Sequence, residues 1–200
     1  IALKRLIVVS GLELPYFKVD SVEVGVNLMP PIPCDDIINN ALMYKRKPFE
    51  AKYCSDEGNY RQATLSEYWV KLYNKRLHYE KQGYDIGHEI LRFELKINKM
   101  RVLAKYGVYT LEDLMNNIEN IARDLLPKAW KEVLLYDPTM NKQTKEKTLQ
   151  YANVNFWRGI VKERRYNYHH KKLYRLMEGN TCAIQAQVKN VMLDTLVCLV

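Results

Sequence analysis

The sequence predicts an α+β protein in which an antiparallel sheet is followed by an all-helical region. Two observations support this class. Three stretches in the first half alternate apolar and polar residues with the period of a strand, and the second half carries apolar residues at helical spacing. The pattern changes near residue 110, so we expect an α/β catalytic-type domain over residues 1–110 and a helical region over residues 111–200.

The three predicted strands cover residues 22–27, 69–75 and 91–97. Successive side chains of a strand point to opposite faces, so one face of each strand is apolar and the other is polar. The polar faces together carry two carboxylates, one tyrosine and four cations. These residues are Glu23, Lys71, Tyr73, Lys75, Arg92, Glu94 and Lys96.

Helices are expected between and after the strands. Prolines force a turn after the first strand, and Asp35 or Asp36 then caps a helix that ends near residues 45–48. Thr110 caps a later helix that ends before Pro127. Residues 54–66 are polar and are predicted to form a loop. Further helices are expected over residues 99–106, 128–135, 153–178 and 183–199.

The composition favours a polyanionic partner. Lys and Arg total 31 against 23 Asp and Glu, a formal net charge of +8. No apolar run approaches the ~20 residues that cross a bilayer, and the four cysteines lack the spacing of a zinc site or a disulfide framework. We therefore expect a cytoplasmic protein with no membrane partner. The chain begins without Met and ends on an apolar stretch, so we expect it to be incomplete at both ends.

The polar faces suit phosphodiester chemistry. A tyrosine that attacks a DNA phosphate forms a 5′-phosphotyrosine and conserves the bond energy for resealing. A divalent cation held by carboxylates assists such a step. We predict Tyr73 as the nucleophile, with Lys75 placed to lower its pKa or to neutralise the phosphate. Glu23 and Glu94 are the predicted ligands of Mg²⁺ or Mn²⁺.

Three blocks of the sequence resemble the filamentous-phage gene II type (II/X family) of rolling-circle replication initiators. They are the acidic strand over residues 22–27, the Tyr-x-Lys stretch over 72–75, and the Arg-Phe-Glu strand that continues from 91 to 107. The resemblance covers roughly residues 20–115. Only about 20 residues precede the first block, where the family has more. Relatives also tend to carry Asp in place of Glu23, and Asp20 is an alternative counterpart.

The resemblance implies an RRM-like nicking domain, incomplete at its N-terminus. It would nick and religate one strand at a double- or single-stranded DNA origin in the cytoplasm of a bacterial host, with a host helicase as a candidate partner. Some plasmid initiators carry the reactive tyrosine after the Arg-x-Glu strand, which leaves Tyr106 and Tyr109 as rival nucleophiles. Glu23 and Glu94 could instead form cross-strand salt bridges with neighbouring cations such as Lys71, Arg92 and Lys96.

The most basic part of the chain covers residues 158–175 and interleaves cations with Tyr166, Tyr168 and Tyr174. Such a segment could follow DNA phosphates and stack on bases, or form a solvated helix face. Trp130 and Trp157 are predicted core residues. Two further hypotheses are a non-catalytic DNA-binding protein and a helical interaction domain. The predicted DNA contacts are Lys71, Arg92, Lys96, Arg158, Lys162, Arg164, Arg165, Lys171 and Lys172.

Overall fold

Two antiparallel sheets organise residues 16–55, 58–178 and 183–198, which the computed structural model describes. The predicted α+β class is confirmed. The strands are β1 (Val22–Leu28), β2 (Ala41–Tyr44), β3 (Lys47–Pro48), β4 (Glu50–Cys54), β5 (Gly58–Thr64), β6 (Tyr68–Asn74), β7 (Leu91–Ile97) and β8 (Val133–Leu135). The helices are α1 (Cys34–Asn40), α2 (Arg76–Lys81), α3 (Leu111–Lys131), α4 (Lys142–Ala152), α5 (Val154–Arg158), α6 (Glu163–Glu178) and α7 (Ile184–Val197), with a 3-10 helix over Met100–Tyr106.

The main sheet has the strand order β1-β7-β6-β5-β4, and the three strands predicted from alternation are neighbours in it. Their apolar residues, such as Val24, Val70 and Phe93, are buried on one face. The register places Glu94 opposite both Gly25 on β1 and Lys71 on β6. The polar residues of three strands therefore lie side by side, because paired residues of an antiparallel sheet share a face.

Helices α3 and α7 cover the apolar face of the main sheet. Trp130 of α3 packs edge-on against Phe93 with 5.2 Å between ring centroids, which confirms its predicted place in the core. Helix α7 buries one stripe, since its apolar residues recur every fourth position. These residues are Ile184, Val188, Met192 and Leu196. Among the helices in the described ranges, none combines the length and the apolar character that crossing a bilayer requires.

Four predicted elements differ in the structure, one of them the helix over residues 153–178, which is divided into α5 and α6. Residues 54–66 form β5 and the end of β4 instead of a loop, because pairing with β4 and β6 supplies the backbone hydrogen bonds that the polar composition did not suggest. The first helix ends at Asn40, and β2 follows with all four residues buried, as in strands covered on both faces. Helix α3 continues through Pro127 to Lys131, and β8 replaces the rest of the helix predicted to follow.

A small sheet with the order β3-β2-β8 lies between two apolar clusters. The first cluster contains the apolar residues of the main sheet and also Ala41 and Tyr44 of β2. Leu42 and Met43 of β2 belong to the second cluster. The second cluster also contains Trp157, as predicted for the core, and residues of α4, α5 and α6. Residues on both sides of position 110 therefore contribute to each cluster.

Candidate functional site

The polar side chains of the main sheet form one surface on the side opposite α3 and α7. We name it the polar sheet face. The cross-strand register arranges it in rows, with Glu94 at the centre. The polar sheet face consists of Glu23, Gly25, Asn27, Tyr60, Gln62, Lys71, Tyr73, Arg92, Glu94 and Lys96.

Glu94 is the hub of this face and is only 2% exposed. Its Oε2 accepts hydrogen bonds from Arg92 Nε at 3.0 Å and from the Tyr73 hydroxyl at 3.2 Å. Lys71 Nζ lies 3.2 Å from the other oxygen, Oε1. Burial raises the pKa of Glu94, but the Arg92 hydrogen bond and the charges of Lys71 and Arg92 outweigh it and hold the pKa below its usual range. The carboxylate is therefore ionised at neutral pH.

Tyr73 lies on the predicted face, next to one of the two predicted acids, but it is enclosed there. The residue is 4% exposed, and its ring meets Tyr60 edge-on at 6.4 Å. Helix α2 lies against this end of the face: the Tyr79 hydroxyl is 3.3 Å from Asn27 Nδ2, and Leu77 borders Gly58. Reaching the Tyr73 hydroxyl from solvent thus requires side chains around it to move.

The second predicted acid, Glu23, joins the same network through cations. Its Oε1 lies 3.7 Å from Lys71 Nζ and 3.4 Å from Lys96 Nζ. Lys71 therefore bridges Glu23 and Glu94, and its side chain is largely buried. The cross-strand ion pairs that the sequence left as an alternative are present for Lys71 and Lys96, and Arg92, the third cation of that alternative, pairs with Glu94 along the same strand.

The described residues do not fit the predicted Mg²⁺ or Mn²⁺ site. Divalent ions of this kind take several oxygen ligands, whereas the position between Glu23 and Glu94 is held by the Lys71 ammonium. In the described part of the chain, no three His, Cys, Asp or Glu side chains are grouped to hold a metal. Asp20, the alternative acid, is exposed and precedes β1. The metal requirement remains a sequence prediction.

The other predicted reactive residues lie elsewhere. Lys75 follows β6 as the residue before α2, and its ammonium lies 5.3 Å from the centre of the Tyr79 ring. The cations next to the carboxylate that Tyr73 contacts are instead Lys71 and Arg92. Tyr106 donates a hydrogen bond to Asp124 of α3 at 2.6 Å, and burial together with that carboxylate raises the pKa of Tyr106. Tyr109 is exposed.

A second candidate surface is the outer face of α6. Its cations fall within roughly a third of the helix circumference and surround Tyr168, which is 61% exposed. No ion pair joins them to a carboxylate in the ranges that the structure describes. We name these residues the basic stripe: Arg164, Arg165, Tyr168, Lys171, Lys172 and Arg175.

Two of the three tyrosines that the sequence interleaves with these cations are not placed to stack on bases. Tyr166 is buried in the second cluster and donates to the carbonyl of Lys45, while Tyr174 donates to Gln185. Tyr168 alone of the three interleaved tyrosines is exposed. Arg158 and Lys162, also predicted to contact DNA, are exposed just before α6.

Sequence reasoning missed the part of the polar sheet face that β5 supplies. Tyr60 and Gln62 belong to it because β5 pairs with β6, and the residues of β5 do not alternate between apolar and polar in a way that would have predicted a strand. Gly25 lies on the polar side that the alternation of β1 predicts, and its bare backbone makes room for Arg92, which the sequence did not indicate.

Comparison of the chain with protein-family models, with curated proteins and with solved structures gave no match.

Proposed function

We propose that the protein nicks and rejoins one DNA strand through Tyr73, as a rolling-circle replication initiator does. The supporting observation is the hydrogen bond of 3.2 Å from the Tyr73 hydroxyl to Glu94, a carboxylate flanked by Lys71 and Arg92. A nucleophile, a proton acceptor and two cations are thus within reach of one another on one sheet face. The proposal includes three expectations from the sequence. The protein would act at a DNA origin, in the cytoplasm of a bacterial host, and with a host helicase as a candidate partner.

The chemistry needs one proton transfer in each direction. Glu94 accepts the phenol proton while the Tyr73 oxygen bonds to phosphorus and the bond to the 3′ oxygen breaks. The leaving 3′ oxygen takes the proton back from Glu94, and the reverse sequence reseals the strand. Lys71 and Arg92 offset the charge that develops on the phosphate oxygens.

Phosphate binding would also make Glu94 a better base. Lys71 and Arg92 now hold its pKa below the usual range. A phosphate that takes these two cations as partners would release that effect, and burial would then let the pKa of Glu94 rise. Lys71 and Arg92 would thus pair with Glu94 in the free protein and with a DNA phosphate in the complex.

The strand would have to displace α2 to reach Tyr73. This helix has six residues, none of which is buried, so few apolar contacts oppose its movement. The Tyr79 hydroxyl and Asn27 Nδ2 would lose one hydrogen bond of 3.3 Å in the process.

The test replaces the Tyr73 hydroxyl and looks for a covalent product. The protein is incubated with a pool of end-labelled single-stranded oligonucleotides, and the adduct is mapped by mass spectrometry. We expect a phosphotyrosyl adduct on the peptide that contains Tyr73, its loss in Tyr73→Phe, and its retention in the control Tyr109→Phe. An adduct on Tyr106 or Tyr109, or one that persists in Tyr73→Phe, would exclude Tyr73 as the nucleophile.

The second candidate is a non-catalytic DNA-binding protein. The observations that favour it are the 4% exposure of Tyr73 and the basic stripe, whose cations face solvent. Binding of the same oligonucleotides without any adduct would support this candidate. Absence of binding at low salt would leave the helical interaction domain.

A further inference from the structure

A cavity of about 570 Å³ lies on the helical side of the main sheet, away from the polar sheet face. Leu95 lines it, whereas its neighbour Glu94 points to the opposite face. The volume is in the range of sites that bind small molecules. Its apolar wall comes from the main sheet, the 3-10 helix and α3, and consists of Leu95, Val102, Leu125 and Ala129.

Lys45 lies at the polar end of this cavity in an unusual conformation. Its φ is 53°, and no other non-glycine residue of the described ranges has a positive φ. The Lys45 N–H donates to the Glu132 carbonyl at 3.0 Å, and the Lys45 carbonyl accepts from the Tyr166 hydroxyl. These two bonds hold the backbone in place. Lys45 is the first residue of the two-residue turn between β2 and β3, where a positive φ is usual, and the turn brings its side chain to the cavity.

The Lys45 ammonium is held by neutral groups. It donates to the Tyr68 hydroxyl at 3.0 Å and lies 5.6 and 5.7 Å from the ring centres of Tyr44 and Tyr68. Within the described residues no carboxylate forms an ion pair with it. Its direct contacts in the described residues are thus ring faces and a hydroxyl, and an anion would be a stronger partner.

Two tyrosine hydroxyls add hydrogen-bond donors beside the Lys45 ammonium. The hydroxyls of Tyr44 and Tyr68 lie 3.2 Å apart at the cavity. Burial, and to a lesser extent the hydrogen bond with Tyr68, raises the pKa of Tyr44. Its hydroxyl therefore stays protonated at neutral pH. Lys105 and Lys131 add positive charge along the wall.

The carboxylates of the wall limit how much negative charge a ligand can carry. Glu67 is paired with Arg101, but Glu132 has no cation within ion-pair distance in the described part of the chain. The Glu132 carboxylate acts on Tyr44, and Glu67 directly precedes Tyr68, so both acids lie near the Lys45 end. A ligand with a single phosphate meets less repulsion there than a polyphosphate. The same carboxylates can accept hydrogen bonds from sugar hydroxyls or base amino groups.

We propose that this cavity binds a nucleoside monophosphate unit, with the phosphate at Lys45 and Tyr68 and the base against Val102 and Leu125. The unit is either a free nucleotide or the phosphorylated end of a DNA strand, since both present the same chemistry. The site is separate from Tyr73, so its existence does not depend on strand nicking.

The test measures binding of AMP, adenosine and inorganic phosphate by calorimetry. We expect saturable binding of AMP and at least about tenfold weaker binding of adenosine, which lacks the charged partner of Lys45. Lys45→Met and Tyr68→Phe should each weaken AMP binding, Lys45→Met by about tenfold or more. The control Lys81→Met removes an exposed lysine of α2 and should leave binding unchanged.

A second variant separates binding from folding. Glycine adopts positive φ without strain, so Lys45→Gly should keep or raise the stability of the fold and still lose AMP binding. Competition with short 5′-phosphorylated and 5′-hydroxyl oligonucleotides then identifies the source of the ligand. Displacement of AMP by the phosphorylated strand alone supports a strand end, and displacement by neither supports a free nucleotide. No saturable AMP binding, equal binding of adenosine or of inorganic phosphate, or full binding by Lys45→Met would overturn the proposal.

Discussion

At the scale of single residues, Gly25 determines the geometry around Glu94. A Cβ at this position would lie 2.5 Å from Glu94 Cβ and 2.8 Å from Arg92 Cζ. The Arg92 guanidinium therefore lies on bare backbone, from which it reaches Glu94 and, at 3.2 Å, Asn27 Oδ1. A glycine inside a strand usually weakens it, but here the missing side chain admits the cation.

We predict that Gly25→Ala displaces Arg92 and lowers the free energy of unfolding by about 1–3 kcal/mol, the usual range for an overpacked site. Urea unfolding measures the change. Gly87→Ala is the matched control, because in the described ranges no atom beyond its two chain neighbours lies within 4 Å of a Cβ placed there. Equal effects of the two substitutions would contradict the packing that we assign to Gly25.

Glu94 should make the free energy of unfolding depend on pH. Despite burial, its partners hold its folded pKa below the ordinary value of 4.5, so its stabilising contribution is present above about pH 4.5 and is lost as pH falls through the folded pKa. Glu94→Gln leaves Lys71 and Arg92 without their shared carboxylate and should cost about 3–5 kcal/mol at pH 7.

The difference in free energy of unfolding between Glu94→Gln and the parent should decrease as the pH falls, because the parent carboxyl is then neutral as well. Denaturant unfolding at a series of pH values measures it. Glu146→Gln, on the exposed side of α4, is the control and should follow the parent curve. A Glu94→Gln penalty that stays constant down to acid pH would show that the charge of Glu94 is not its cause.

At the scale of elements, α6 has two distinct faces. Its inner face contributes Tyr166, Leu173 and Met177 to the second cluster, and its outer face carries the basic stripe. The sequence predicted one helix over residues 153–178, but the structure has a break between α5 and α6 at residues 159–162. Trp157 of α5 and Ile160 of the break both belong to the second cluster.

We predict that the basic stripe contacts DNA phosphates. The double variant Lys171→Gln with Lys172→Gln should weaken duplex binding and reduce the slope of log affinity against log salt by about 0.9 for each phosphate that the variant no longer neutralises. Fluorescence anisotropy across a salt series measures both. The control is Lys145→Gln with Lys147→Gln, which removes two exposed charges from α4. Identical slopes for the two variants would mean that the basic stripe is only a solvated face.

At the scale of the whole molecule, the small sheet joins the two apolar clusters. Strand β8 pairs with β2, and both strands are buried on their two faces, one toward each cluster. Because the clusters share these strands, loss of either one should expose apolar surface of the other. We therefore expect the described part of the chain to unfold as one cooperative unit.

Two core substitutions test this expectation. Leu103→Ala removes a fully buried side chain from the first cluster, and Leu173→Ala removes one from the second. Each should cost about 2–5 kcal/mol and shift a single calorimetric transition to lower temperature. Two transitions, of which one variant moves only one, would instead support independent units on either side of residue 110.

The sequence by itself determined the local pattern of this protein. Period-two alternation identified β1, β6 and β7 and the face on which Tyr73 and Glu94 lie, and Thr110 marked the start of α3. These features depend on residues a few positions apart, and the chain encodes them directly.

Only the tertiary structure decided which groups meet. In the folded chain Lys71 lies between the two acids, and Tyr73 is buried beside them. Tyr106 donates a hydrogen bond to Asp124, and a cavity forms at Lys45. The tertiary structure also made strands of β2, β5 and β8, which composition had assigned to helix or loop. The physical reason is that strand pairing and side-chain packing join residues that are far apart in sequence, so their outcome depends on partners that no local window contains.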